Sequence, residues 1–417
     1  MKPQWGVVVL VLVFSQIILV YKYVSLGDWF RRRTTNVTTE IADGNSYNTK
    51  QIPPNATIKQ LNLDDRASRV KEMCRQLEKE SYPDLHKSTG RMLRHSKRDM
   101  MYCVTPKAGC TSWIRIMRFL NGDIKQGVHN PLEVDRMYVH YGPLQNTKVY
   151  DLHNETLRKE VSSKGYKFMF ARNPYSRLYS AYIDKIFLPD YWRSAARPIV
   201  KKRPNVTESH QQCPDDISFA EFTKFVVDSI TKKSYVNEHW APVTWICNPC
   251  EIPFDYVGTQ ETFSSDTKYL LEHFGIGDIL PSQTFSDRIN EEIETLITYN
   301  FDLVNQLPKG CVKENDLARR LWKTFQINGY IPENVQHSFN SPEAISKKEF
   351  HELVLNTIKE NFPSKEEWKK RRNKALREAF GELSAELLIN LRKVYDIDIQ
   401  LYGYDPLPKE LIWHIAT

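Results

Sequence analysis

Three regimes of hydrophobic patterning divide the chain. From Trp5 to Tyr21 the residues "WGVVVLVLVFSQIILVY" are apolar almost without a break, and Trp5, Tyr21 and Tyr23 sit near the ends as interfacial anchors do. This predicts a membrane-spanning signal-anchor over 5–24 behind a short tail at 1–4. Residues 25–68 are rich in Asn, Thr, Asp and Pro and carry almost no apolar period, so they read as a stem. From about Val70 helical periodicity begins, and from about Asp99 short apolar runs alternate with helical ones. That alternation predicts an α/β architecture over 69–417, with a central, mainly parallel sheet flanked by helices.

Two units repeat one design. "DMMYCVT" (99–105) predicts a buried strand, and after a loop Trp113, Ile116, Met117 and Leu120 share one helical face that ends near Gly122. "YKFMFAR" (166–172) predicts a second strand, followed by the helix of "NPYSRLYSAYIDKIF", with Pro174 in its first turn. A third strand is predicted over Ile252–Gly258. Its following helix carries Tyr269, Leu270 and Phe274 on one side and ends at Gly275. Residues 286–381 are helical in pattern and basic near Lys369–Lys374.

Composition narrows the setting. The 417 residues are 41% hydrophobic and 26% charged, which suits a globular body, and the net charge of +7 permits an acidic partner. No zinc-finger spacing or aromatic-glycine RNA signature occurs, so no nucleic-acid partner is expected. Lys22 and Arg31–Arg33 follow the apolar segment while only Lys2 precedes it, which by charge bias alone leaves the body cytosolic. The sequons at Asn36, Asn55, Asn154 and Asn205 favour a lumenal body. The seven cysteines are an odd number, so an oxidising lumen leaves at least one free or intermolecular. "CNPC" (247–250) has no second CxxC or HxxxH to complete a zinc site, so disulfide bonding is expected instead.

The loop "TPKAGCTSW" (105–113) carries the first candidate chemistry. A lysine and a glycine stand between a strand and a helix, with Thr111 and Ser112 placed as N-cap hydroxyls. Exposed amides and the positive end of a helix favour a phosphate there, whereas a tight structural turn explains the same residues without a ligand. The lysine precedes the glycine, so this is not the GxxxxGK[ST] loop of nucleotide triphosphatases. In the second unit Arg172 ends a strand, with Arg177 and Ser180 on the following helix. They either converge on a second phosphate or are a surface arginine and a packing serine.

Taken together and in order, these segments resemble the Golgi carbohydrate sulfotransferases, in the branch of the chondroitin, dermatan, GalNAc-4-O- and HNK-1 enzymes. "PKAGCTSW" is similar to that family's 5′-phosphosulfate loop and "RNPYSRLYSAYIDKIF" to its 3′-phosphate segment. "EHWAPVTWICNPCEIPFDYVGTQET" (238–262) and "LRKVYDIDIQLYGY" (391–404) resemble two further blocks. The likeness covers roughly residues 95–285 and 383–405. Asn173 stands where the family has Asp, and 286–381 has no counterpart in it.

The resemblance implies a P-loop-like sulfotransferase fold, type II anchoring in the Golgi membrane, and transfer of a sulfonyl group from 3′-phosphoadenosine 5′-phosphosulfate to a glycan hydroxyl without a metal. A chondroitin/dermatan-type or GalNAc-containing acceptor, modified at O4, is the implied substrate. Lys107 would face the leaving oxygen, within a cradle of Pro106, Lys107, Ala108, Gly109, Cys110, Thr111 and Ser112. Arg172, Arg177 and Ser180 would serve the 3′-phosphate. A general base is also needed, and His239 is the candidate, ahead of Glu238, His140 and His153. A glycan-binding protein with a decayed nucleotide site and a P-loop-type kinase are the competing classes. Intact Lys107, Arg172 and Ser180 disfavour the first, and the order of lysine and glycine disfavours the second.

Overall fold

Five short strands hold the centre of the chain: β1 Arg91–His95, β2 Met100–Cys103, β3 Lys148–Asp151, β4 Tyr166–Ala171 and β5 Tyr256–Thr259. They come from a computed structural model that describes residues 62–82, 88–308, 310–340, 342–408 and 411. The expected membrane segment, the tail before it, the stem as far as residue 61, Asn36 and Asn55 lie outside the described residues. Among the described residues no helix is long and apolar enough to cross a membrane.

Around the sheet lie α1 Leu63–Lys79, α2 Cys110–Asn121, α3 Arg136–Tyr141, α4 Glu155–Ser162, α5 Pro174–Tyr182, α6 Phe219–Thr231, α7 Val243–Cys247 and α8 Phe263–His273. Then come α9 Phe285–Val304, α10 Glu314–Ile327, α11 Lys347–Glu360 and α12 Lys365–Gly381. Two last helices, α13 Ala385–Val394 and α14 Asp396–Tyr402, return to the body.

The strand order is β3-β1-β2-β4-β5. β2, β4 and β5 run parallel, but β1 is antiparallel to both β2 and β3. The sheet is therefore mixed, not mainly parallel as the alternation suggested. The reason is local: only Ser96–Asp99 separate β1 from β2, and Asp99 turns the chain in the left-handed region, so the two strands must form a hairpin. β1 ("RMLRH") and β3 ("KVYD") are short and charged, so neither forms an apolar run in the sequence. β5 begins at Tyr256 and not at Ile252, because the backbone of Asp255 first bonds to the carbonyl of Lys167 (2.8 Å) and sets the register.

Both faces of the central strands are dry, as a parallel core requires. Met101, Cys103, Met169, Ala171 and Val257 pack with Val70 and Cys74 of α1 and with Leu401 of α14. Tyr102, Phe168 and Phe170 pack with Trp113, Ile116 and Met117 of α2 and with Leu270 and Leu271 of α8. Helix α1 starts at Leu63, earlier than the periodicity showed and inside the expected stem. Asn62 caps it and Asp64 and Asp65 occupy its first turn. The helices within 286–381 form their own apolar cluster, in which Ile293 and Ile297 of α9 meet Leu317, Leu321 and Phe325 of α10 and Phe350 of α11.

The cysteines tie this frame together. The two of "CNPC" do not bond to each other. Cys247 bonds to Cys103 at the end of β2, and Cys250 bonds to Cys74 of α1. Cys213 bonds to Cys311, and Cys110 is the one free thiol.

One buried cation joins the pieces that will form the site. Arg177 on α5 is 1% exposed. Its Nε donates to Pro106 O (2.9 Å), Nη1 to Ala241 O (2.6 Å) and Nη2 to Glu238 O (2.6 Å). Three carbonyls in two separate loops thus converge on one planar fork, whose spread-out donors an ammonium at a single point does not reproduce. Arg177→Lys should lower unfolding stability by roughly 2–5 kcal/mol, since it leaves buried carbonyls without donors. A change under about 0.5 kcal/mol in chemical denaturation would show that the clamp is dispensable.

Candidate active site

The parallel pair β2/β4 ends with both following loops on the same edge, the usual ligand crevice of α/β sheets. After β2 the chain runs through Val104–Gly109 and enters α2 at Cys110. Gly109 is the N-cap, so Thr111 and Ser112 lie inside the first turn and not at the cap expected for them. Gly109 has φ +88, and a Cβ there would lie 2.2 Å from the ring of Phe263, so only glycine fits. No side chain caps α2, whereas Asn173, Ser218 and Thr284 cap α5, α6 and α9. The positive end of α2 therefore faces the loop without a built-in acceptor, which suits an anion.

Lys107 occupies the left-handed region at φ +67, a conformation that costs a non-glycine residue about 1–2 kcal/mol. Its carbonyl accepts from Arg172 Nη1 at 2.7 Å. The strand tips bearing Lys107 and Arg172 are therefore in direct contact. Arg172 Nε donates to Ser176 Oγ (3.1 Å), and among the described residues Nη2 meets no acceptor. Burial, with Arg372 and Arg177 nearby and only partly offset by Glu261, pushes the Arg172 guanidinium down to about 9. It stays charged at neutral pH, and an incoming anion would relieve the strain of that charge. Ser180 is half-buried one turn beyond Ser176, on the same face of α5. Asn173 caps α5 through Tyr175 N and Ser176 N, as an aspartate would, which explains why the exchange of Asp for Asn keeps the turn. Pro106 and Ala108 are buried. Arg177 lies beneath the loop, with all three nitrogens engaged as described above.

The ammonium of Lys107 bonds to Asp184 Oδ2 at 2.8 Å. Asp184 belongs to a π turn, Ile183–Phe187, that continues α5. Burial alone would raise this carboxyl, but Lys107, Lys185 and Arg136 outweigh it and hold it well below the usual range. Burial pushes Lys107 down, Lys185 adds to the effect, and Asp184 opposes it. Of Asp184, Lys185, Asp190 and Arg136, only Lys185 carries a reading from the sequence, as a position of helical spacing. "YIDKIF" reads as helix spacing, and only the π turn brings its charged pair to the loop.

His239 sits in the turn before α7, above the same cations. Its backbone N–H donates to Asn237 Oδ1 at 3.0 Å, and its Nδ1 lies 2.7 Å from the same oxygen. An oxygen already accepting from the backbone can only accept from the ring. Nδ1 therefore carries the proton and Nε2 is the free base. Burial, with Lys185 and Lys107, holds the imidazole well below its ordinary value, so it is neutral at neutral pH. Of the other candidates, His140 lies 3.3 Å from Thr111 Oγ1 and is pushed down to about 4 by burial and Arg136. Glu238 offers its carbonyl to Arg177. His153 pairs with Asp151 on the exposed end of β3, at 2.9 Å. Cys110, at the start of α2, is a half-buried thiol that desolvation pushes above its ordinary value. Among the described residues no group of three or more His, Cys, Asp or Glu is placed to hold a metal ion.

Comparison with known proteins bears on this geometry. The sulfotransferase family profile matches residues 90–326, more than half of the chain. The matched range runs on into α9 and α10. Carbohydrate sulfotransferase 11 of Mus musculus is 33% identical over 219 residues, covering 50% of this chain and 60% of the relative. Carbohydrate sulfotransferase 9 of Homo sapiens is 32% identical over 280 residues, covering 66% and 60%. Carbohydrate sulfotransferase 14 of Danio rerio is 32% identical over 186 residues, covering 44% and 48%. The alignments thus span 60% or less of these relatives' own length. No solved structure matches. With the lysine loop, both arginines and His239 all inside the matched segment, the chain belongs to the sulfotransferase family, and its relatives there are carbohydrate sulfotransferases.

Proposed function

We propose that this chain is a carbohydrate sulfotransferase that moves a sulfonyl group from 3′-phosphoadenosine 5′-phosphosulfate to a glycan hydroxyl. The observation that carries the reading is the contact between Lys107 and Arg172, which brings two cationic strand tips to one crevice. The uncapped start of α2 and Lys107 suit the phosphosulfate end. Arg172 Nη2 and Ser180 suit the 3′-phosphate, which distinguishes this donor from other adenine nucleotides.

In the reaction an acceptor oxygen attacks sulfur while the bridging oxygen leaves with negative charge. The chain's part is to position both groups and to set positive charge where that charge grows. Lys107, a compact ammonium, serves the leaving oxygen. His239, with Nε2 unprotonated, takes the proton of the acceptor hydroxyl. A chondroitin/dermatan-type or GalNAc-containing acceptor with transfer to O4 is the finer proposal, supported by the motif resemblance. A single-pass type II setting in the Golgi membrane, with the body lumenal, is proposed as well. It is supported by the apolar segment 5–24, by three disulfides that suit an oxidising lumen, and by Asn154 and Asn205 lying exposed.

The deciding experiment incubates the chain with labelled donor and a panel of desulfated chondroitin, dermatan and N-glycan acceptors, followed by linkage analysis. Absence of transfer to every acceptor, together with no binding of adenosine 3′,5′-bisphosphate, would sink the reading. Lys107→Ala should cut kcat by about 100- to 1000-fold in a chain that still folds. Turnover like that of wild type would remove Lys107 from its role. His239→Ala should cut kcat by about 100- to 10,000-fold while bisphosphate affinity is retained. Because the neutral imidazole is the active form and burial depresses its value in the free chain, kcat/KM should hold as pH falls through 6.5 and drop only well below it. An acid limb centred at the ordinary histidine value would point to a different base.

A further inference from the structure

Two ammonium groups share one carboxylate oxygen beside the lysine loop. Asp184 Oδ2 lies 2.8 Å from Lys107 Nζ and 3.4 Å from Lys185 Nζ, and Oδ1 lies 3.9 Å from Arg136. Lys185 is held from its other side by Asp190, whose Oδ2 it contacts. The second oxygen of Asp190 accepts from the hydroxyl of Tyr299, on α9. These side chains are little exposed, 17% for Lys107, 13% for Lys185 and 5% for Asp190, so their charges act with little screening by water. Lys185 also lies 4.9 Å from the ring centre of Tyr191, whose hydroxyl is 3.4 Å from His239 Nδ1. It therefore stands between the loop lysine and the base.

We infer that Lys185 is a second sulfonyl-facing cation of the transfer site, and that Tyr299, acting through Asp190, is the positioning residue that holds it there. The inference rests on the sulfotransferase reading. A carboxylate bridging two ammoniums marks a place where an anionic group of similar size is stabilised. During transfer the charge on the bridging oxygen calls for one cation, and the sulfonyl oxygens call for another. Lys107 follows the leaving oxygen, and Lys185 remains with the sulfonyl group as it passes toward the acceptor. Burial disfavours the Lys185 ammonium, but Asp184 and Asp190 outweigh it and keep it protonated, so it acts as a fixed charge and not as a base. Lys107 and Lys185 face Asp184 and Asp190, while Arg136 lies near Asp184 and Glu292. Tyr299 is the means by which α9, packed against Pro189–Tyr191, enters the chemistry.

The test compares wild type, Lys185→Met, Lys185→Arg and Tyr299→Phe in the full chain. It measures calorimetric affinity for adenosine 3′,5′-bisphosphate, which lacks the sulfonyl group, together with kcat and donor KM on the acceptor panel and the thermal midpoint. Lys185→Met is expected to keep bisphosphate affinity within about threefold and to lose about 100-fold in kcat, with part of the loss restored in Lys185→Arg. Tyr299→Phe removes one oxygen atom and is expected to lower kcat about tenfold with donor KM unchanged. It carries the test if Lys185→Met does not fold. Loss of bisphosphate affinity in step with kcat would make Lys185 a scaffold of the donor loop and overturn the proposal. Full kcat in a folded Tyr299→Phe or Lys185→Met, beside an active wild type, overturns this proposal alone. A wild-type chain that neither binds bisphosphate nor transfers label overturns the sulfotransferase reading and this proposal with it.

Discussion

The guanidinium of Arg177 is the constraint on which the site depends. Buried under the lysine loop, it takes Pro106, Glu238 and Ala241 as acceptors, and so locks the loop after β2 to the turn that carries His239. A charge so placed has lost its hydration and survives only because carbonyl dipoles replace the water. The arrangement is rigid for the same reason, since moving any of the three segments strands a buried polar group. The covalent link Cys103–Cys247 joins the end of β2 to α7 and restrains the same pair of segments. Non-covalent fork and disulfide therefore hold the loop lysine and the histidine in one fixed relation, which is the property a transfer site needs.

Electrostatics around that fixed frame are biased toward an anion. Lys107, Lys185, Arg136, Arg172 and Arg177 are all partly or wholly buried, and Asp184 and Asp190 compensate only some of that charge. The cost appears as depressed values for Lys107 and Arg172, where burial disfavours the charged form. Burial, reinforced by Lys185 and Lys107, keeps His239 neutral, so the residue proposed as base is unprotonated in the same field that is proposed to hold the donor. Donor site and base are thereby coupled through charge as well as through geometry. Asp184 prevents the lysines from repelling one another, and its own carboxyl is held ionised by them.

Helices α9, α10 and α11 extend the frame. They build an apolar cluster separate from the two that clasp the sheet, yet α9 reaches Lys185 through Tyr299 and Asp190. A cluster with its own core can vary without disturbing the sheet, while a few side chains on its inner edge face the chemistry.

Sequence alone established the strand–loop–helix order of β2 with α2 and of β4 with α5, because apolar runs and helical faces are local signals. It also established the cationic candidates Lys107 and Arg172 at the two loops and the helical character of 286–381. The hairpin β1–β2, the edge strand β3 and the mixed sheet escaped it, since short charged strands owe their form to neighbours and not to their own propensity. Cysteine pairing was equally out of reach, as the two cysteines of one CxxC motif bond to partners 176 and 144 residues away. The burial of Arg177, the turning of Asp184 and Lys185 toward the loop, and the tautomer of His239 were decided only by tertiary structure. Each depends on backbone atoms brought from distant segments, and spacing along a chain does not encode such meetings.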